Sequence, residues 1–315
     1  MANRIMLVVK SPEEFRRHAA SCVATIGKFD GVHRGHQAIL SQLRDKASEL
    51  HTPALVILIE PHPEEFFAPS PQDCPPRITT LAEKIELLEG QGIDFVYQLR
   101  FDRTLSQLGA GQYVRDILVD GLGIRALIIG NDFRFGRGRE GNFSLLTTLG
   151  QQYGFEVLET AGCELDGRRV SSTFIREQLA QGDFATVARL LGRPYSISGE
   201  VVRGRQLGAD LGFPTCNIHL HRQRIPLHGV FACEALWQDR RLRAAVNIGY
   251  RPTVSDGGDA LLEAHILDFN ADLYGQTLQI IFCSQIRQEM KFPNLQALQQ
   301  QIARDVARVR AFFEP

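Results

Sequence analysis

The chain has 315 residues, 44% of them hydrophobic, and a formal net charge of −1. That is an ordinary globular composition, long enough for two domains with cores of their own, and it excludes disorder across the chain. Lys and Arg total 35 and Asp and Glu 36, so there is no whole-chain basic footprint for general nucleic-acid binding.

In chain order, Met1 to Lys10 lacks the basic start and long apolar run of a secretory signal. Val23–Gly27 reads as a short buried strand, and His36–Leu50 as a helix with Ile39, Leu40, Leu43, Ala47 and Leu50 at helical spacing. Ala54–Ile59 is an apolar run suited to a strand covered on both faces. Thr80 and Glu83 have capping-box spacing, which starts a helix near Leu81. Ile93–Leu99 and Ala126–Ile129 are further strands. Strands alternating with helices predict a Rossmann-like α/β domain with a parallel sheet.

Two helical stretches, Ser172–Ala180 and Asp183–Leu191, precede Arg193-Pro194. Beyond them the pattern becomes strand after strand: Tyr195–Val202, Val230–Trp237, Ala244–Ile248, Leu261–Leu267 and Leu278–Ile286. Strands in series predict a β-barrel or sandwich. Leu295–Phe312 is a last helix, N-capped by Asn294. The boundary falls in the 186–194 region, giving domains 1–187 and 188–315. The six cysteines form no C-x-x-C pair and read as buried thiols of a reducing compartment. With no apolar run of ~18–20 residues, the expectation is a cytoplasmic protein with no membrane or nucleic-acid partner. No feature names a protein partner.

The first chemical segment is Phe29-Asp30-Gly31-Val32-His33-Arg34-Gly35-His36, between a strand and a helix. Two glycines permit a tight turn, and a helix start seats phosphate. Two imidazoles there can stabilise charge growing on phosphorus. The same pair can also hold a metal, with His62 as a third ligand. Ser171-Ser172-Thr173 with Arg176 one turn on suits an anion, or is simply a capped helix. Gly136-Arg137-Gly138-Arg139-Glu140-Gly141 spells G-x-G-x-x-G but does not directly follow its strand, which argues against a dinucleotide site.

In the β-rich half, Gly199, Gly204, Gly208 and Gly212 lead into Phe213-Pro214-Thr215-Cys216-Asn217. A Gly-rich segment can fold over phosphates, and Thr215 and Asn217 offer oxygens suited to Mg²⁺. Glu263 and His265 share one strand face, so Glu263 is either a general base or a solvated carboxylate.

Gly27–His36, Glu60-Pro61-His62-Pro63, Gly130–Gly136 and Ser171–Arg176 together resemble the adenylyltransferase half of bacterial bifunctional riboflavin kinase/FAD synthetases. Gly212-Phe213-Pro214-Thr215-Cys216-Asn217, Asn247–Thr253, Glu263-Ala264-His265, Asp272–Gly275 and Arg287–Phe292 resemble the kinase half, in family order. The resemblance implies ATP and riboflavin as substrates, FMN as intermediate, FAD as product and Mg²⁺ as cofactor. It implies His33 and His36 as catalytic residues of adenylyl transfer and Glu263 as base of the kinase. Adenylyltransferase ATP would meet Phe29, Asp30, Gly31, His33, Gly35, His36, Asn131, Asp132, Ser172, Thr173 and Arg176. FMN would meet Pro61, His62, Pro63, Asn131, Asp132, Phe133 and Phe135. Kinase ATP would meet Gly204, Gly208, Gly212, Pro214, Thr215 and Asn217, with Thr215 and Asn217 on Mg²⁺ and Arg251, Glu263 and Arg287 on the flavin. Ala209 and Asp210 depart from the family's Arg and Thr. The rival readings are adenylyl transfer to another phosphorylated small molecule and a flavin-binding protein whose kinase half has decayed.

Overall fold

Alternation along the two central strands of the first half decides which side chain enters which core. The computed structural model describes residues 5–130, 132–160, 162–203, 211–222, 224–250 and 260–314. Leu7–Val9 (β1), Cys22–Gly27 (β2), Ala54–Glu60 (β3), Phe95–Arg100 (β4), Ile124–Ile129 (β5) and Glu156–Glu159 (β6) form one parallel sheet in the order β1-β4-β3-β2-β5-β6. Val23, Val56 and Leu58 join Leu40, Leu43 and Leu88 in one core. Cys22, Ala24, Ile26, Leu55 and Ile57 join Tyr113, Leu118 and Leu146 in the other. A sheet buried on both faces needs the continuous apolar runs seen in the sequence. A two-stranded hairpin, Glu164–Leu165 (β7) with Arg168–Arg169 (β8), follows.

The second half closes a barrel of six antiparallel strands: Ser196–Val202 (β9), Cys216–His219 (β10), Gly229–Trp237 (β11), Arg240–Tyr250 (β12), Ala260–Ile266 (β13) and Thr277–Arg287 (β14), in the order β10-β13-β12-β11-β14-β9. Closure leaves no sheet edge exposed. Helix Leu295–Phe313 packs Val306 and Val309 against Ala232 and Ala245 of the barrel wall. Asn294 caps it, its Oδ1 accepting from the Ala297 N–H at 2.8 Å.

The chain divides into two compact units, Met1–Cys74 with Leu81–Ser171, and Pro75–Thr80 with Ser172–Pro315. Helix Ser172–Gln181 and the start of helix Phe184–Leu191, which the 187/188 division leaves in the first domain, therefore pack with the barrel. The ring of Phe184 lies 5.8 Å from that of Phe282 and 5.9 Å from that of Phe231.

Several elements go beyond the sequence reading. Strands β1, β6 and β10 and helices Pro12–Arg16, Pro63–Phe67, Arg103–Gln107 and Phe143–Tyr153 were not anticipated. The expected strand Ala244–Ile248 extends to Arg240–Tyr250. The cysteines correct the expectation of six buried thiols: Cys22 and Cys233 are buried and the other four half-buried. Among the described residues no helix is long and apolar enough to cross a membrane.

Candidate functional site

The strand order of the parallel sheet reverses at β2. The chain proceeds from β2 outward to β3 and β4, then returns to place β5 on the other side of β2. Loops at the carboxyl ends of two such strands flank the crevice in which open α/β sheets bind ligands. The first chemical segment is the loop after β2, and Gly130–Gly136 follows β5.

The loop after β2 is tightly wound, with positive φ at Phe29 (48°), Gly31 (86°) and Val32 (40°). Phe29, Asp30 and Val32 are buried. Gly35 leaves room for the His33 ring, because a Cβ there would lie 3.2 Å from it. Helix Arg34–Glu49 begins with His33 as N-cap, and His33 Nδ1 accepts from the His36 N–H at 3.3 Å. A ring nitrogen that accepts carries no hydrogen, so the neutral His33 ring bears its proton on Nε2. The two imidazoles stack, centroids 3.6 Å apart and planes 15° apart. Phe29 packs against His36 at 4.9 Å. Burial, then the charges of His33, Lys84 and Lys28, push the His36 pKa well below the ordinary imidazole value. His36 Nδ1 is buried without a hydrogen-bond partner among the described residues.

His62 does not complete a metal site. Among the described residues no cluster of three or more His, Cys, Asp or Glu side chains is arranged to hold a metal ion. Its Nε2 lies 3.0 Å from the Nζ of Lys84. The Glu60-Pro61 bond is cis, Pro63 opens helix Pro63–Phe67, and Glu65 Oε2 accepts from the His62 N–H. Phe66 and Phe67 from that helix meet Phe101 in edge-to-face pairs at 5.4 and 5.7 Å. These partly exposed aromatics offer a flat ring a surface, and the sequence reading passed them over.

Beyond β5, Asp132 is exposed and paired with Arg169 at 2.9 Å. Phe133 stacks on Phe135 at 5.6 Å, but Phe135 is a core side chain packed against Tyr113. Gly136–Gly141 is a short hairpin-like turn closed by a Phe135–Gly141 bridge. Asn131 lies outside the described residues. In the second unit, Ser172 and Thr173 open helix Ser172–Gln181, and Arg176 Nε donates to the Pro76 carbonyl at 2.7 Å.

The barrel carries its own constellation. Asn217 on β10, Glu263 on β13 and Asn247 on β12 stand in one register row across three neighbouring strands. Leu262 and Ala264 face the core, as the alternation requires. Glu263, His265, Thr215, Asn247 and Arg287 line a cavity of about 340 Å³ that Met290 and Phe292 also border. His265 Nδ1 donates to the Pro214 carbonyl at 2.8 Å, tying β13 to the segment before β10. Arg287 pairs with the buried Asp305 at 2.8 Å and stacks over Phe292 at 5.7 Å. The stretch read as loop-like from Gly199 to Asn217 begins and ends in strands β9 and β10. Gly204, Gly208, Ala209, Asp210 and Arg251 lie outside the described residues.

Comparison with known proteins matches the same division. A family model described as FAD synthetase matches residues 15–174, and one described as riboflavin kinase matches 191–313. The bifunctional riboflavin kinase/FMN adenylyltransferase of Pseudomonas fluorescens is 45% identical over 98% of this chain and 99% of its own. The chain belongs to that bifunctional family. The Escherichia coli K12 relative is 45% identical over 93% of both chains, and the Haemophilus influenzae relative 41% over 98% and 99%. A crystal structure titled as a macrolide-efflux protein from Streptococcus pneumoniae shares the fold, with a TM-score of 0.79, 27% identity and 97% and 99% coverage. The FAD synthetase part is thus N-terminal and the riboflavin kinase part C-terminal, with 175–190 between the two matches.

Three functional candidates escaped the sequence reading: Lys84, Asp305 and the Phe66–Phe67–Phe101 trio. Lys84 and Asp305 lie on helices where a charged residue reads as solvent-facing, and only the tertiary structure buries them.

Proposed function

We propose that the two constellations run successive half-reactions, riboflavin to FMN in the barrel and FMN to FAD at the parallel sheet, with the functional division at 187/188. What carries this reading is that each, Arg176 apart, lies within its own family match and has the groups its own chemistry needs.

In the barrel, Glu263 orients the terminal ribityl hydroxyl and takes its proton as the oxygen attacks the γ-phosphorus of ATP. ADP leaves and FMN remains. Arg287, fixed by Asp305, and Arg251 contact the flavin. Gly204, Gly208, Gly212 and Pro214 cover the nucleotide, with Thr215 and Asn217 at its phosphates. The oxygens of Thr215 and Asn217, with Glu263 next to Asn217 in the register, are a donor set that fits a hard divalent cation. Mg²⁺ held there supplies neutralising charge at the phosphates.

At the sheet, an FMN phosphate oxygen attacks the α-phosphorus of a second ATP and pyrophosphate leaves. The nucleophile is already an anion, so no strong base is required. His33 donates from Nε2, and with His36 it stabilises charge on the α-phosphate. Phe29, Asp30, Gly31 and Gly35 shape the loop, while Asn131 and Asp132 contact the nucleotide. The family resemblance assigns Ser172, Thr173 and Arg176 to the outer phosphates. Pro61, His62, Pro63 and Phe133 frame the FMN, and Phe135 supports Phe133 from the core.

The test is a time course with riboflavin and Mg²⁺–ATP, the flavins separated by chromatography. FMN rising before FAD is expected. Riboflavin consumed without FAD, at excess ATP, would void the reading of the sheet site.

A further inference from the structure

The second segment of the sheet site is tied to the first by a side chain that no motif contains. Lys84 lies on helix Leu81–Glu89 and is fully buried. Its Nζ donates to the Lys28 carbonyl at 3.2 Å, in the loop after β2. It lies 3.3 Å from Glu60 Oε2, at the end of β3, and 3.0 Å from His62 Nε2. An ammonium has three hydrogens and no acceptor, so it can donate toward each of these groups.

A buried ammonium is costly unless paired and hydrogen-bonded. A buried leucine would fill the same helical position without that cost, so the charge itself needs a reason. Its contacts supply one. The Lys28 carbonyl directly precedes Phe29, the strained residue whose ring packs on His36. Glu60 and His62 flank the cis Pro61. One cation therefore fixes both strand-end segments that frame the phosphate chemistry.

We propose that Lys84 is a positioning residue of the adenylyl-transfer site, locking the Lys28-Phe29 loop to the Glu60–His62 segment. It touches no reacting atom. The inference rests on the assignment of adenylyl transfer to His33 and His36. Its charge is also one of those that hold His36 neutral, with His33 and Lys28 facing the same ring.

The test uses the full-length chain, whose riboflavin-phosphorylating barrel is an internal control. In Lys84→Met, kcat for FAD formation from supplied FMN is expected to fall by about 100-fold, the scale of a misplaced catalytic group. The KM for ATP should stay within about threefold, and FMN formation should be unchanged. The titration midpoint of the His36 ring, followed by NMR with labelled histidine, should rise as a nearby positive charge is lost. A native kcat would overturn the proposal, as would a kcat loss with an unmoved His36 midpoint, which marks a purely structural role. If Lys84→Met loses the melting transition of the first unit, Lys84→Met/Glu60→Gln removes the buried cation together with its half-buried carboxylate partner and is read the same way. An active His36→Ala would instead sink the underlying site assignment.

Discussion

Burial opposes a proton on His36, and the charges of His33, Lys84 and Lys28 oppose it further. The native ring therefore stays neutral well below the pH at which an unfolded chain protonates it, about 6.5. Below that pH the unfolded state binds a proton that the native state does not, so stability is full above it and is lost as pH falls. The first unit should accordingly melt at a lower temperature at pH 5 than at pH 7. Thermal melts of His36→Gln should show a smaller drop, and an identical drop would remove His36 as its source. The same residue separates the two activities. His36→Ala should stop FAD formation and leave riboflavin phosphorylation intact, while Glu263→Gln should do the reverse, with supplied FMN still adenylylated. Flavin chromatography reads both, and equal loss of both activities in either variant would contradict two independent sites.

The last helix is fastened to the barrel by charge as well as by apolar packing. Arg287 at the end of β14 meets Asp305 of helix Leu295–Phe313, and both side chains are largely buried. Breaking one member of such a pair leaves an uncompensated charge, at about 3–5 kcal/mol. Asp305→Ala should lower the melting temperature of the second unit and depress FMN formation, with FAD formation from supplied FMN retained; unchanged riboflavin kinetics would detach Arg287 from the flavin. Such contacts mark the limit of what the sequence makes legible. The long buried runs that became β2, β3 and β5, the helix after His33 and the Asn294 cap were all readable, because local pattern and tertiary burial agree there. Strands β1, β6 and β10 have three or four residues each, too short for a period to show. The loop holding His33 and His36 was visible through its glycines and paired imidazoles. Lys84 was not, since the partners named above lie 22, 24 and 56 residues away in sequence and nothing local distinguishes it from a solvated lysine.

At the level of the whole molecule, compactness and family matching cut the chain at different places. The matches leave 175–190 unassigned, whereas packing gives everything from Ser172 onward to the barrel unit. The helices in that interval are amphipathic, and Ile175, Leu179, Phe184 and Val187 are all at most 5% exposed. A fragment beginning at residue 188 loses these four side chains and uncovers the Phe231 and Phe282 rings against which Phe184 packs. Each buried aliphatic or aromatic side chain contributes about 1.5–3 kcal/mol, and a domain is held folded by only ~5–15 kcal/mol. The segment Pro75–Thr80, whose Ile78 carbonyl accepts from Tyr195 Oη and Arg222, is missing from both fragments and so does not bias the comparison. Fragment 172–315 should therefore melt at least ~10 °C above fragment 188–315, and calorimetry of the two decides it. Equal melting temperatures would mean that the two helices only lean on the barrel, and that 187/188 is a structural boundary as well as a functional one.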